Sequence, residues 1–134
     1  MSQENVEAVK RAIDAFNRRD ANGLAEFLTP DCEWFPAMLR EVEGTSFQGR
    51  EGLDAYFAAV SDTWEEFRLV VDEFRPLGDD RVLGLGRMEG RGRGSGVHVE
   101  TPWAVVYDFD GDKLSRIRAF LAHDEALEAA GLVE

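Results

Sequence analysis

The residues of this chain with the most readily named chemistry are two histidines, one cysteine, a run of aspartates and an Arg-Gly run. His98 could serve as an acid or base near neutral pH. It could equally be a half-exposed strand residue beside a Gly-rich bend, where most polar side chains belong. His123-Asp124 reads as the opening of the last helix, with the carboxylate favoured by the helix dipole. Neither histidine has zinc-site spacing, and Cys32 has no neighbouring ligand pair, so no metal site is expected. Asp108-Phe109-Asp110-Gly111-Asp112 alternates oxygen ligands as a calcium loop does. Such a loop needs Gly at its sixth position and Glu at its twelfth; here those are Lys113 and Ala119, so the run reads as a hairpin turn. The segment GRGRGSG (90–96) lacks the GxxxxGK[ST] pattern of a phosphate cradle. It is also short for a nucleic-acid arm in an acidic chain. Arg91 and Arg93 could still clamp an anionic ligand at a pocket mouth.

The whole chain supports those limits. Its 134 residues suit one domain over 1–134 with one core. Asp and Glu outnumber Lys and Arg 27 to 15, for a net charge of −12. That balance disfavours nucleic-acid and anionic membrane partners. The lone cysteine precludes an intrachain disulfide, and a cytoplasmic setting is the simplest expectation. The start MSQENVEAVK lacks a secretory pattern, and no apolar stretch approaches the roughly 20 residues a membrane helix needs.

The elements that must position any site follow from periodicity. Val6, Val9, Ile13 and Phe16 predict a helix over 3–18, with Ser2 able to cap it. Asp20 can cap a second helix carrying Leu24, Phe27 and Leu28, which ends at Thr29-Pro30. A brief strand over 31–35 stops at Pro36, and 37–49 reads as a loop. Leu53, Phe57, Val60 and Trp64 mark a third helix. Strands follow at Phe67–Val71, 81–89, 97–109 and 113–121, with a turn at 78–80, and a short helix ends at Gly131. Helices first and an antiparallel meander after them make an α+β pattern, with helices packed on one face of a curved sheet. If Asp110-Gly111-Asp112 is a three-residue loop, Val105 faces Ile117 and Trp103 faces Ala119. Trp103, Val105, Ile117, Ala119 and Leu121 then form the inner face. Ala104, Val106, Arg116, Arg118 and Phe120 form the outer one.

Three N-terminal helices, the segment TPDCEWFP, the GxxGL start at Gly49–Leu53 and the ending DKLSRIRAFLAHDEALEAAGL carry a resemblance. The chain is similar, over nearly its whole length, to the SnoaL-like branch of the nuclear transport factor 2-like superfamily. That resemblance implies an open α+β cone with an internal pocket. Its members include ketosteroid isomerases, polyketide cyclases, epoxide hydrolases, dehydratases and proteins that only bind or associate, many of them dimeric through the outer sheet face. Fold alone does not choose among these.

Carried over residue by residue, the isomerase machinery is missing. The base position falls on Phe35, the oxyanion tyrosine on Ala12 and its supporting tyrosine on Phe57. The protonated acid falls on Ala104 or Val105. None of these side chains can move a proton or donate the required hydrogen bond. The inward acid of hydrolases and cyclases falls on Ala119, and the hydrolase Arg-x-Asp pair is echoed by Arg87-x-Glu89.

Three functions therefore stand. The first is a small-molecule-binding protein, without a cofactor, whose apolar pocket includes Ala12, Phe16, Phe35, Met38, Phe57, Trp103, Val105, Ile117 and Ala119. Its ligand would be apolar or aromatic. The second is a cyclase-, isomerase- or hydrolase-like enzyme using Arg87, Glu89 and His98. The third is an association module. A homodimer through the outer face is expected, with Ala104, Val106 and Phe120 as an apolar centre between Arg116 and Arg118.

Overall fold

The spacing of Val6, Val9, Ile13 and Phe16 is realised in helix α1 (Ser2–Asn17), which buries all four; the computed structural model describes residues 2–36 and 47–131. Helix α2 (Ala21–Ala25) is capped as expected, the Asp20 carboxylate accepting from the Gly23 N–H at 2.9 Å. It stops sooner than its apolar residues suggest, because Leu28 already opens strand β1 (Leu28–Phe35). Pro30 bars Thr29 from helical geometry. Leu28 instead pairs with Leu114, whose N–H donates to the Phe27 carbonyl at 2.7 Å. A two-residue strand β2 (Phe47–Gln48) leads into α3 (Gly49–Thr63).

Four long strands follow: β3 (Trp64–Leu77), β4 (Arg81–Gly92), β5 (His98–Asp110) and β6 (Lys113–Phe120). They form a six-stranded sheet in the order β2-β1-β6-β5-β4-β3, antiparallel except where β1 runs beside β6. Strand β4 continues into the Arg-Gly run, because Gly90 has a partner on each side, Phe67 and Val99. Only the tip of that run is a turn. Two close approaches require glycine on β4. A Cβ at Gly86 would sit 1.9 Å from the Val70 carbonyl oxygen, beside a bulge in β3. One at Gly90 would sit 2.8 Å from the Trp64 ring.

The last hairpin corrects the expected register. Its turn has two residues, Gly111 (φ 67°) and Asp112, and Asp110 pairs with Lys113. With a bulge after Asp108, Val105 faces Ala119 and Tyr107 faces Ile117. The displacement is two residues, so inner and outer sets are unchanged. Leu121 is the exception: it lies beyond the strand and is 40% exposed.

The sheet's inner face packs Phe67, Leu69, Met88, Val105 and their neighbours against α1 and α3. Part of its outer face is covered too. Leu83, Leu85, Ala104, Val106 and Phe120 are buried with Ala126 and Ala130, and α4 (His123–Ala129) packs over them. The apolar centre expected to face a second subunit is thus covered by the chain's own last helix. His123 fastens that helix, its Nε2 bonding the Gly86 carbonyl at 2.8 Å.

Candidate functional site

The open side of the cone is bounded by the edge strand β3, which side chains from the end of α1 close off. The Asn17 amide donates to the Leu69 carbonyl and accepts from the Leu69 N–H, both at 2.9 Å, as a neighbouring strand would. Arg19, at φ 58°, donates to the carbonyls of Phe16 (2.6 Å) and Phe67 (2.7 Å). Its guanidinium lies 4.8 Å and 5.6 Å from the centroids of those two rings.

Behind this edge lies an internal cavity of about 30 Å³. Helix α1 contributes Ala12, Ile13 and Phe16, and Leu24 comes from α2. Trp34 reaches it from β1, Pro36 from just beyond that strand, and Tyr56 from α3. The sheet adds Leu69, Trp103, Tyr107, Leu114, Ile117 and Ala119. No carboxylate or histidine lines it among the described residues. Burial pushes the Tyr56 hydroxyl up to about 12, with nearby Arg19 pulling the other way. Burial also pushes Tyr107 well above the usual phenol range. Both stay protonated at neutral pH, and neither hydroxyl has a hydrogen-bond partner among the described residues.

A second apolar cavity of about 140 Å³ adjoins it, between α3 and β3, bounded by Ala59, Val60, Thr63, Trp64 and Phe67. Pro36 and Tyr56 belong to both linings. The Tyr56 ring sits among Phe16 (centroids 5.9 Å apart), Trp34 (5.2 Å) and Phe47 (5.5 Å).

Of the residues expected in the pocket, Ala12, Phe16, Trp103, Ile117 and Ala119 line the inner cavity. Val105 is fully buried in the inner core, and Ala104 is on the opposite face, which decides which of the two points inward. Phe57 packs 5.5 Å from Phe16 without bordering the cavity. Phe35 is half-buried and borders neither cavity, because its neighbour Trp34 takes the inward position on β1. Met38 lies outside the described residues. Tyr56 and Tyr107 were missed. The β5 alternation from Trp103 through Val105 signals Tyr107 directly, whereas Tyr56 sits one position before the residue that the resemblance singles out.

Arg87, Glu89 and His98 are not in this interior. All three occupy outer-face positions of β4 and β5. Arg87 meets Glu89 at 2.8 Å, Glu100 at 3.2 Å and Asp72 at 3.4 Å. The hydrogen bond to Glu89 raises the arginine's pKa and lowers the carboxylate's. Glu89 and His98 border an open surface recess with Asn17, Arg19 and Arg68. Arg91 pairs with Glu66 at 3.4 Å. Arg93 donates to the Ser61 carbonyl (2.7 Å) and the Trp64 carbonyl (3.3 Å) around the end of α3, so its side chain fastens a helix terminus.

Comparisons with known proteins agree with this architecture. No curated protein sequence matches the chain significantly. Among solved structures, an NTF2-like protein from Burkholderia xenovorans LB400 is 27% identical (TM-score 0.72; 97% of each chain covered). TerC, co-crystallised with polyporic acid, is 24% identical (TM-score 0.78; 96% of this chain and 98% of that one). A protein of ketosteroid isomerase-like fold from Catenulispora acidiphila DSM 44928, in complex with trimethylamine, is 18% identical (TM-score 0.74; 95% and 94%). The model of the SnoaL-like domain matches residues 9–117, and the chain belongs to that family.

Proposed function

We propose that this protein binds a small, neutral aromatic molecule inside the cone. One observation carries the reading: the inner cavity is walled by Trp34, Tyr56, Trp103 and Tyr107 among aliphatic side chains, with no carboxylate or histidine among the described lining residues. Such walls stack against rings, and burying an unpaired charge there would be costly. The two phenol hydroxyls are neutral donors without a partner among the described residues, suited to a carbonyl or hydroxyl oxygen on the ligand. A cavity of about 30 Å³ has room for water but not for a ring, so a ring sits in the adjoining cavity of about 140 Å³ unless the aromatic side chains between the two part. TerC was co-crystallised with polyporic acid and the Catenulispora protein is in complex with trimethylamine, so small-molecule binding has precedent on this fold, though neither molecule is a neutral aromatic.

The test is a thermal-shift series with phenol, indole and 2-naphthol, paired with calorimetry. A ligand at 100 times its Kd stabilises by about 2.7 kcal/mol and raises the midpoint visibly. If none of the three raises it at millimolar concentration, the reading fails.

A further inference from the structure

The two apolar cavities meet at one side chain. We propose that they are the two chambers of a single binding site, and that Tyr56 is the partition that sets the length of ligand the site accepts. The proposal rests on the binding reading above.

Tyr56 and Pro36 are the residues shared by the linings of the inner and outer chambers. Pro36 has little freedom to move, whereas Tyr56 has two side-chain torsions. The volumes then decide what fits where. The outer chamber of about 140 Å³ is close to the roughly 150 Å³ engineered cavity known to hold benzene, and can take one ring. The inner chamber of about 30 Å³ cannot. A two-ring ligand can therefore be buried whole only by displacing the Tyr56 ring. That ring is held by contacts to Phe16, Trp34 and Phe47, while its hydroxyl has no partner among the described residues. The structure thus resists displacement through packing and offers the hydroxyl to whatever arrives. The favoured ligand class is a neutral single-ring aromatic carrying an acceptor oxygen, with longer biaryls excluded by Tyr56.

The three tryptophans supply the readout. Trp34 and Trp103 line the inner chamber and Trp64 the outer one, so three indole N–H signals in an NMR spectrum report chamber by chamber. Phenol and 4-phenylphenol are titrated into the unsubstituted protein, Tyr56→Ala, Tyr56→Leu and Leu114→Ala. Leu114 borders only the inner chamber and is not among the rings packed on Tyr56, so its truncation opens a hole and leaves the partition in place. We expect phenol to move the Trp64 signal in the unsubstituted protein. We expect 4-phenylphenol to bind Tyr56→Ala and Tyr56→Leu at least tenfold more tightly than the unsubstituted protein, moving all three signals. Leu114→Ala should show no such gain. Tyr56→Leu keeps most of the packing and serves if the alanine variant fails to fold. Equal affinity of 4-phenylphenol across all four proteins overturns the partition while leaving aromatic binding intact. An equal gain in Leu114→Ala overturns it too, since any cavity would then do. Failure of both probes to bind any of the four overturns the binding reading itself.

Discussion

The two faces of the sheet come from the same strands and are finished in different ways. On the outer face the residues under α4 are, Phe120 apart, small or aliphatic: Ala104, Leu83 and Val106 are 0% exposed, as is Ala126 of the helix itself. Small side chains let a helix lie close. On the inner face, alternate residues of the same β5 are Trp103, Val105 and Tyr107. Flat rings meeting at tilted angles leave gaps that aliphatic side chains would close. One face is built to be filled by the chain itself; the other is built around space.

Removing the cover is the most severe way to break that contrast. A chain ended at Leu121 loses α4 and bares Leu83, Val106 and Phe120. Re-exposing even two such side chains costs about 3–6 kcal/mol, a large share of a typical domain's stability. We expect loss of the folded state by circular dichroism, or self-association by size-exclusion chromatography. A monomer with unchanged denaturant midpoint would mean that α4 contributes little.

A matched pair of substitutions compares the faces directly. Ala104 and Ala119 lie on neighbouring strands, the first beneath α4 and the second on the cavity wall. Ala104→Val forces two methyl-sized groups into packed space and should cost about 1–3 kcal/mol. Ala119→Val directs them toward existing space and should cost less than about 1 kcal/mol. Urea midpoints measure both. Equal costs would show that the inner face is as tightly packed as the outer.

The contrast was only half legible in the sequence. Alternation on β5 and β6 assigns the inner and outer sets correctly, Leu121 apart, even with a register displaced by two residues, because a strand's side chains repeat every two. What alternation cannot say is what covers each face. Ala104, Val106 and Phe120 look the same on a strand whether a second subunit or the chain's own helix lies over them. The short HDEALEA segment showed that a helix forms, and not where it lands. The site was read unevenly for a similar reason. Residues on regular elements, such as Phe16, Trp103 and Ile117, follow from periodicity. Tyr56 does not, since the rotation of α3 about its axis decides whether residue 56 or 57 meets the cavity. Arg87 and Glu89 suggested chemistry by their types, but position 87 falls on the outward half of β4, and three carboxylates surround the arginine there.

The inner face carries groups whose acidity is lowered chiefly by burial, and two of them, Tyr56 and Cys32, give the finest test of the difference. Burial pushes Tyr56 from an ordinary 10 to about 12. Burial, followed by the charges of Asp31 and Glu33, pushes the Cys32 thiol from 9 to about 12. In both, the folded value lies above the unfolded one, so the unfolded chain gives up its proton first. Their contribution to stability is complete below the unfolded values. It declines as pH climbs past about 9 for Cys32 and 10 for Tyr56, and is gone above about 12. By about pH 10 the two together should remove about 1–2 kcal/mol relative to neutral pH. Urea midpoints should therefore fall across this range, and Cys32→Ala should flatten the fall at its acid end. Tyrosinate absorbance adds the local measurement. The chain has two tyrosines, both lining the inner cavity, and neither should ionise near pH 10 until the protein unfolds. An absorbance rise at pH 10 with the fold intact would mean that water reaches these hydroxyls, and that the interior is already open to solvent.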